Sequence, residues 1–439
     1  MLGLVTYFLI LTSMIIAVWW RPTVGVAAVL CLYGLKQWGQ STTEFFSDHR
    51  EFSNFAVFLI ALVGLLRASQ KRSCLFCEIP ATTKLVLLIF LYAFISLAWT
   101  PDLDAAIDQW LAQGPYILTI ALLAPLLFSS FRDARTAFTW TALVGAAICV
   151  LALAFGKWGG RGLILYGREV SQEYETNPLA MASMAGTVAI IAAMSFSRPN
   201  GIAMRVLATV IIPISIAVIL RSGARGQLIA TAAGVAVALP IAFRVRDIRS
   251  IAALLLAGVI VVGLGYVASS FITLDADRWG SKQSTEDISG RLANAAALLQ
   301  ASSSHFFSII FGLGNSSAFK VVGFYPHITG LEVIAEEGIV GAAIYFAILF
   351  VAGRSIVRIN KQEDPTGYKR NALAILSGLF VFELILSWKQ GSLLGSVYVF
   401  GYAIALARLE RPIGSLNRLA TPAQAGVVRS LPRFENLLR

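Results

Sequence analysis

Charged residues are scarce in this chain: Asp, Glu, Lys and Arg together make up 13% of its 439 residues. Soluble domains carry about a quarter, so the composition excludes an ordinary water-soluble domain. Hydrophobic residues make up 57%, and apolar runs close to the ~20 residues of a membrane-spanning helix recur along nearly the whole length. The runs do not alternate with polar residues, which excludes a membrane β-barrel. We therefore predict one all-α polytopic membrane protein.

Cysteine and histidine are also few, with four Cys and three His. Cys31 and Cys149 lie inside apolar runs, which predicts buried thiols. Cys74 and Cys77 form a single C-x-x-C in a polar loop, with no second pair and no nearby His. Zinc sites need more ligands than this. We therefore predict neither a metal centre nor a cofactor.

Thirteen apolar runs qualify as candidate spans. The first two are separated only by Arg21 and Pro22, and the last is short, so we predict about twelve transmembrane helices in a bundle over residues 1–407. One large loop containing short helices covers 271–330, and a basic cytoplasmic tail covers 408–439. The candidate spans lie near 2–19, 23–38, 53–66, 83–99, 111–128, 136–155, 178–196, 202–220, 226–243, 250–271, 331–352, 372–388 and 392–407.

The orientation follows from the distribution of Lys and Arg, which collect in cytoplasmic loops of membrane proteins. In this chain they collect in alternate loops and in the C-terminal tail, whereas the loop 99–110 has three Asp and no basic residue. This pattern predicts a cytoplasmic C terminus, with the 271–330 loop and the Arg221–Arg225 turn together on the outer side. We interpret the net charge of +11 as an orientation signal and as contact with membrane lipids, not as nucleic-acid binding.

Two arginines, Arg221 and Arg225, lie in the RSGARG sequence between two candidate spans. Their spacing of four would place them on one face if a helix continued through both. Guanidinium groups are always charged and donate paired hydrogen bonds, which suits phosphate. The alternative is that both side chains only extend to the lipid headgroups.

Arg291 and His327 are the candidates within the outer loop. Arg291 follows Ser289-Gly290 and opens a predicted helix over 292–299, where the helix dipole does not favour a cation, so we expect another partner for it. His327 follows Pro326 and precedes a helix predicted from about residue 330. An imidazole there could accept a proton from a hydroxyl at neutral pH. His305 is the competing histidine.

Five carboxylates complete the candidates of this region. Asp275 and Asp277 resemble the metal-holding D-x-D motif of sugar-nucleotide transferases, but sugar nucleotides are cytoplasmic and this segment is predicted to lie outside. Glu332, Glu336 and Glu337 lie in the first turns of the predicted helix 331–352, where the dipole stabilises acids. We therefore predict a structural role for these three glutamates.

Four motifs in this order resemble the O-antigen ligase family: RSGARG, SGRLANAAALL, FGLGNSSAF and PHITGLEVIAEEGIVGAAIYF. That family comprises lipopolysaccharide O-antigen ligases and related O-antigen and exopolysaccharide polymerases. The resemblance covers about residues 178–350, with NPLAMASMAG near its beginning. The sequence departs from the family at Ile328, where an Asn usually follows the loop histidine.

The resemblance implies a metal-independent, inverting glycosyl transfer on the periplasmic face of the bacterial inner membrane. The donor would be an undecaprenyl-diphosphate-linked glycan and the acceptor a sugar hydroxyl, as on lipid A-core. On this basis Arg221 and Arg225 bind the diphosphate, Arg291 binds the diphosphate or positions the acceptor, and His327 is the base. Fixed arginines can stabilise the charge that grows on the leaving oxygen.

Two alternatives remain open from the sequence. A polymerase uses the same donor but takes a second lipid-linked repeat as acceptor. A transporter or flippase would hold ionisable groups and broken helices at mid-membrane, whereas the predicted spans carry few ionisable residues, of which Glu383 is one.

Overall fold

The computed structural model describes residues 2–71, 79–160, 162–168, 175–196, 201–243, 281–324, 327–362, 364 and 367–410. The described residues are helical apart from connections and two isolated β-bridges. The candidate span 250–271, Asp275 and Asp277, Cys74 and Cys77, and the tail beyond Glu410 lie outside the described residues.

Among the described residues up to Phe243 there are ten helices. They are α1 Leu2–Trp20, α2 Val24–Thr42, α3 Glu44–Asp48, α4 Phe52–Lys71, α5 Ala81–Ile95, α6 Leu103–Tyr116, α7 Phe131–Phe155, α8 Pro178–Met194, α9 Ile202–Arg221 and α10 Arg225–Phe243. A 3₁₀ turn, Ser96–Trp99, extends α5, and π-helical and 3₁₀ turns carry α6 on to Leu127.

The described residues from Ser281 onward add four short or amphipathic helices and then three apolar ones. The former are α11 Ser281–Ser302, α12 Phe306–Phe311, α13 Ala318–Val322 and α14 Thr329–Glu336; the latter are α15 Gly338–Lys361, α16 Tyr368–Gln390 and α17 Val397–Glu410.

Nine helical segments within the described ranges are long and apolar enough to cross a membrane, and α8 is a shorter apolar helix. The predicted class, an all-α multi-pass membrane protein, is therefore confirmed. The total of twelve spans and the sidedness of the loop stay predictions. Cys31 and Cys149 are buried free thiols, as predicted.

The predicted span 331–352 is wrong at its start, because the chain breaks between α14 and α15. Gly338 has φ +63°, and a Cβ added there would overlap the Ile310 carbonyl group. Only glycine adopts this conformation without strain, so the chain turns at this point. The membrane-spanning helix begins at Gly338, and α14 is a separate short helix.

The most buried spanning segment is α16, with 72% of its apolar window inside the protein. It runs along α10 at very short range: a Cβ added at Gly234 of α10 would lie 2.7 Å from the Gly378 carbonyl oxygen of α16. Small residues allow such close approach of helices in membranes. This contact aligns the start of α10 with the end of α16, where the candidate site lies.

Candidate active site

The carbonyl end of α16 brings two of the predicted residues together. The Arg291 Nη1 atom of α11 donates a hydrogen bond of 2.7 Å to the Lys389 carbonyl oxygen. The His327 ring hydrogen-bonds to the backbone of Gln390, the residue that follows Lys389 in α16. Since this bond raises the pKa of His327, the ring N–H is the donor and the carbonyl the acceptor. Two neighbouring carbonyl groups therefore fix both side chains.

The first turn of α10 meets the same end of α16. The fully buried Gln227 donates to the Gln390 side-chain oxygen at 3.2 Å. The Lys389 side chain lies over Gly226, so closely that a Cβ at that position would overlap its ammonium group. Arg225, the first residue of α10, is thus next to the turn that Lys389 covers. A helix N-terminus with adjacent cations is suited to an anion.

No helix continues through Arg221 and Arg225, so the condition for a shared helix face is not met. Arg221 ends α9 and Arg225 begins α10, because Gly223 takes φ +59° and turns the chain between them. The Arg221 guanidinium carbon lies 5.8 Å from the centroid of the Trp158 ring, in the segment that joins α7 to α8. Both arginines stay at one end of the bundle, one against an aromatic ring and one at the first turn of α10.

Arg291 does not open a helix either, since α11 begins ten residues before it, at Ser281. Its side chain caps the C-terminal end of α16, where the last carbonyl groups have no hydrogen-bond donor within the helix. A guanidinium has five N–H donors, and one of them makes the bond to Lys389. The cap fixes the side chain while other donors can still reach a ligand.

His327 occupies an uncommon backbone conformation for a non-glycine residue, with φ +61°. Its side chain is half-buried, and burial lowers its pKa below the usual value, followed in size by the positive charge of Arg291. The ring is therefore neutral at pH 7. A neutral imidazole that donates from one nitrogen carries a lone pair on the other, which is the state that a proton acceptor requires.

The competing histidine, His305, lies elsewhere. It is exposed and immediately precedes α12, the short helix that packs against the start of α15. The sequence favoured His327 over His305 as the base, and the structure gives the two histidines different surroundings.

Glu332 and Glu336 of α14 and the next residue, Glu337, are buried, at 4%, 2% and 0% exposure. Glu332 lies in the first turn of α14, Glu336 ends that helix, and Glu337 is the N-cap of α15. The dipole explanation is therefore wrong for Glu336. The side chains bind neighbouring loops instead, and the Glu332 carboxylate accepts a bond of 2.9 Å from the Leu393 amide.

The FGLGNSSAF segment is the loop that Glu336 and Glu337 hold. Glu336 accepts from the backbone amides of Ser316 at 2.8 Å and Ala318 at 2.9 Å. Glu337 accepts from the Asn315 side chain at 3.0 Å. Burial raises the pKa of Glu336 to about 8 and that of Glu337 to about 7. The motif thus supports α14, and through it the position of His327, without contributing a group to the site.

Lys389, Gln390 and Gln227 are the members of this site that sequence reasoning missed. In the sequence, Lys389 stands out only as the single basic residue of the predicted connection 388–391, whereas the structure places it in the last turn of α16. The usable signal was its location at the end of an apolar run on the side predicted for Arg221 and Arg225. Among the described residues no cluster of three or more His, Cys, Asp or Glu could hold a metal ion.

No protein-family model matches this chain, and no curated protein matches it.

Proposed function

We propose that this chain is a metal-independent, inverting membrane glycosyltransferase that takes glycan from an undecaprenyl diphosphate. The observation that carries the proposal is the convergence of a neutral histidine and several cations on the carbonyl end of α16. A lipid diphosphate leaving group needs cations, and a sugar hydroxyl nucleophile needs a base. Both requirements meet within one cluster.

In the proposed step the acceptor hydroxyl oxygen attacks the anomeric carbon of the donor sugar. The hydroxyl proton passes to His327, and the bond between the anomeric carbon and the diphosphate oxygen breaks. The electron pair of that bond stays on the diphosphate, whose added charge Arg225, Arg291 and Lys389 stabilise. Attack opposite the leaving group inverts the anomeric centre. A positioned base contributes about 10²–10⁴-fold to such a reaction.

Arg221 binds the same diphosphate in this proposal, from the turn before α10. The stack on Trp158 orients its guanidinium without neutralising it, and a cation over an aromatic ring keeps its hydrogen-bond donors at the edge. The polyprenyl chain would lie against the apolar surface of the spanning helices.

Sidedness follows from the basic loops, which we take as cytoplasmic. The candidate site lies at the opposite end, together with α11 to α14. This arrangement supports the part of the proposal that puts the reaction on the periplasmic face of the inner membrane. Twelve spans would result if three further segments, α2 and α8 among them, cross the bilayer. The acceptor in this proposal is a glycan or glycolipid such as lipid A-core.

A polymerase that joins lipid-linked repeats is the second candidate, and Ile328 is the observation that favours it. This residue follows His327 directly and precedes α14, where an amide side chain could hydrogen-bond an acceptor sugar and an isoleucine cannot. The acceptor contacts therefore differ from those of a typical ligase.

Deletion of the gene followed by analysis of surface glycans tests the function and separates the two candidates. A ligase predicts lipid A-core without O-chain, while polymer remains on the lipid carrier. A polymerase predicts accumulation of single repeats. Unchanged surface and carrier-linked glycans would refute both. A flippase predicts that lipid-linked glycan accumulates on the cytoplasmic leaflet.

A further inference from the structure

Helix α2 is enclosed by the rest of the protein along most of its length. Between Val24 and Gln40 every residue is buried except Tyr33 and Lys36. These two are three positions apart and therefore share a helix face. Since the helix is enclosed on its other faces, the surface that the two side chains keep faces a cleft inside the bundle.

Two further helices show the same pattern. On α17 every residue in the range 397–409 is buried except Tyr398, which is half-buried. On α16 Glu383 is half-buried, although the residues three and four positions before and after it are all buried. Each helix thus has an isolated open position on an otherwise enclosed face, as expected of residues that line an internal cleft.

Three tyrosine rings bring these open positions together. The centroid of the Tyr33 ring lies 6.1 Å from that of Tyr398 and 5.9 Å from that of Tyr116, the last residue of α6. The Glu383 carboxylate acts electrostatically on the hydroxyl groups of Tyr33 and Tyr398. The cleft therefore combines aromatic rings with one acidic group.

Lys36 marks the end at which the cleft reaches the surface. Its ammonium group lies 3.8 Å from the carboxylate of Glu51, whose side chain is 81% exposed. It also donates to the Tyr116 hydroxyl at 3.4 Å. The next residue, Gln37, donates to the Asn177 carbonyl at the start of α8. The positive charge of Lys36 is thus paired at the mouth of the cleft, at the end of the bundle that holds the candidate active site.

Glu383 lacks such a partner. It lies in a membrane-spanning segment, and within the described parts of the chain its carboxylate makes no hydrogen bond or ion pair. A charge in a low-dielectric interior is costly unless it is paired, and an acidic residue within a spanning helix indicates a functional site. The partner that would stabilise this carboxylate is a cation.

The lining favours an organic cation over a metal ion. Calcium and magnesium take six or more oxygen ligands, and the described residues hold no group of three His, Cys, Asp or Glu that could bind a metal. The hydroxyl of Tyr398 donates to the Val29 carbonyl at 3.2 Å, and that of Tyr116 already accepts from Asn54 at 2.9 Å. The rings remain, and aromatic faces attract ammonium groups.

We propose that this cleft binds a ligand that carries an ammonium group. The ammonium pairs with Glu383, and the rings of Tyr33, Tyr116 and Tyr398 surround it. It belongs either to a compound that enters from water at Lys36 or to the headgroup of an aminophospholipid. The proposal does not rest on the transfer reaction, since none of these residues takes part in that step.

The test is isothermal titration calorimetry of the full-length protein in phosphatidylglycerol nanodiscs. The probes are ethanolamine and glucosamine, with ethylene glycol and glucose as their uncharged counterparts. We expect the charged probes to bind and the uncharged ones not to bind. E383Q should weaken binding about tenfold or more, because a charge-assisted contact is lost. Asp48→Asn is the matched control, since it removes an exposed carboxylate after the end of α2, and it should bind like wild type.

Ring variants separate the aromatic faces from the hydroxyl groups. Tyr33→Phe and Tyr398→Phe keep the rings and should bind like wild type, whereas Tyr33→Leu should bind about 2- to 30-fold more weakly. Weaker probe binding in phosphatidylethanolamine nanodiscs would identify the lipid headgroup as the source of the ammonium, and unchanged binding would identify a water-borne compound; both results support an ammonium site.

Three results would overturn the proposal. The first is that charged and uncharged probes bind equally, or that neither binds the wild type. The second is unchanged binding by E383Q. The third is loss of binding in both Phe variants, which would indicate a site built from phenol oxygens.

Discussion

Replacement of Arg291 by Gln tests the proposed link between the anion site and the base. The Gln amide keeps a hydrogen-bond donor, but its side chain is shorter than that of Arg291, whose Nη1 atom reaches the Lys389 carbonyl oxygen at 2.7 Å, so the cap on α16 is weakened as well. The positive charge is lost, and with it one charge-assisted bond to the diphosphate, worth about 1.5–3 kcal/mol. At about 1.36 kcal/mol per factor of ten, the transfer rate should fall roughly 10- to 150-fold.

The same variant should also change the pH dependence of transfer. The reaction needs neutral His327, so the rate falls on the acidic side as the ring becomes protonated. Burial and the Arg291 charge both lower the pKa of His327. With the charge removed, burial alone lowers it, so the pKa rises toward 6.5 and the acidic limb moves to higher pH. Arg291→Lys keeps the positive charge and should therefore keep the pH dependence of the wild type. Its rate should be lower, because the paired hydrogen-bond donors of the planar guanidinium group are lost.

The assay is transfer from purified lipid-linked glycan to acceptor in proteoliposomes, measured between pH 5 and 8. Lys320→Gln is the control, since it removes an exposed cation from the same outer segment, on α13, and should leave rate and profile unchanged. A rate within twofold of the wild type for R291Q would refute the role of Arg291 in anion binding. An unshifted acidic limb would refute its effect on His327.

Three further predictions follow from other contacts. Gly226→Ala should displace the Lys389 ammonium group that lies over Gly226 and raise the donor KM several-fold, and we expect the same of K389A. The double variant should lose no more than either single one, whereas additive losses would show that the two residues act separately. Burial raises the pKa of Glu336 to about 8 in the folded protein, so its contribution to the free energy of unfolding is full below about pH 4.5 and is lost as the pH rises through 8. The Tm should therefore fall from pH 5 to pH 9, and E336Q should reduce that fall. A Tm that rises over this range would contradict the raised pKa. Cysteines introduced at Ser281 and Gln362 in a cysteine-free background should lie on opposite sides, with only Ser281 open to an impermeant thiol reagent in whole cells; the reverse labelling would invert the topology.

The apolar runs predicted the helices well, because the length and continuity of a run are local properties. The ends of helices were harder to predict. The sequence EEGIVG continues an apolar pattern across Gly338, and only the contact with the Ile310 carbonyl group shows why the chain must turn there. In RSGARG the spacing of four would give a shared face only in a continuous helix, but Gly223 has positive φ and the arginines belong to different helices.

In the candidate site, too, the residue types could be predicted from the sequence, but their tertiary contacts could not. Arg225, Arg291 and His327 could be chosen from the sequence by residue type and side of the membrane. The contacts of Arg291 and His327 with the backbone of Lys389 and Gln390 could not be predicted, nor could the position of Lys389 over Gly226, next to Arg225. Lys389 and Gln390 lie far away in the chain and form an ordinary helix end. The burial of Glu336 also depends on a loop twenty residues before it.

The central claim is that arginines replace a metal ion and that His327 is the base. It is tested most directly by single-turnover transfer with purified wild-type and His327→Ala protein, in excess chelator and at saturating donor. The account predicts full activity of the wild type under chelation. For His327→Ala it predicts a chemical step about 10²–10⁴-fold slower with donor binding little changed, while the exposed His305→Ala stays close to wild type. Loss of wild-type activity on chelation, restored by magnesium or manganese, or an active His327→Ala protein, would contradict it.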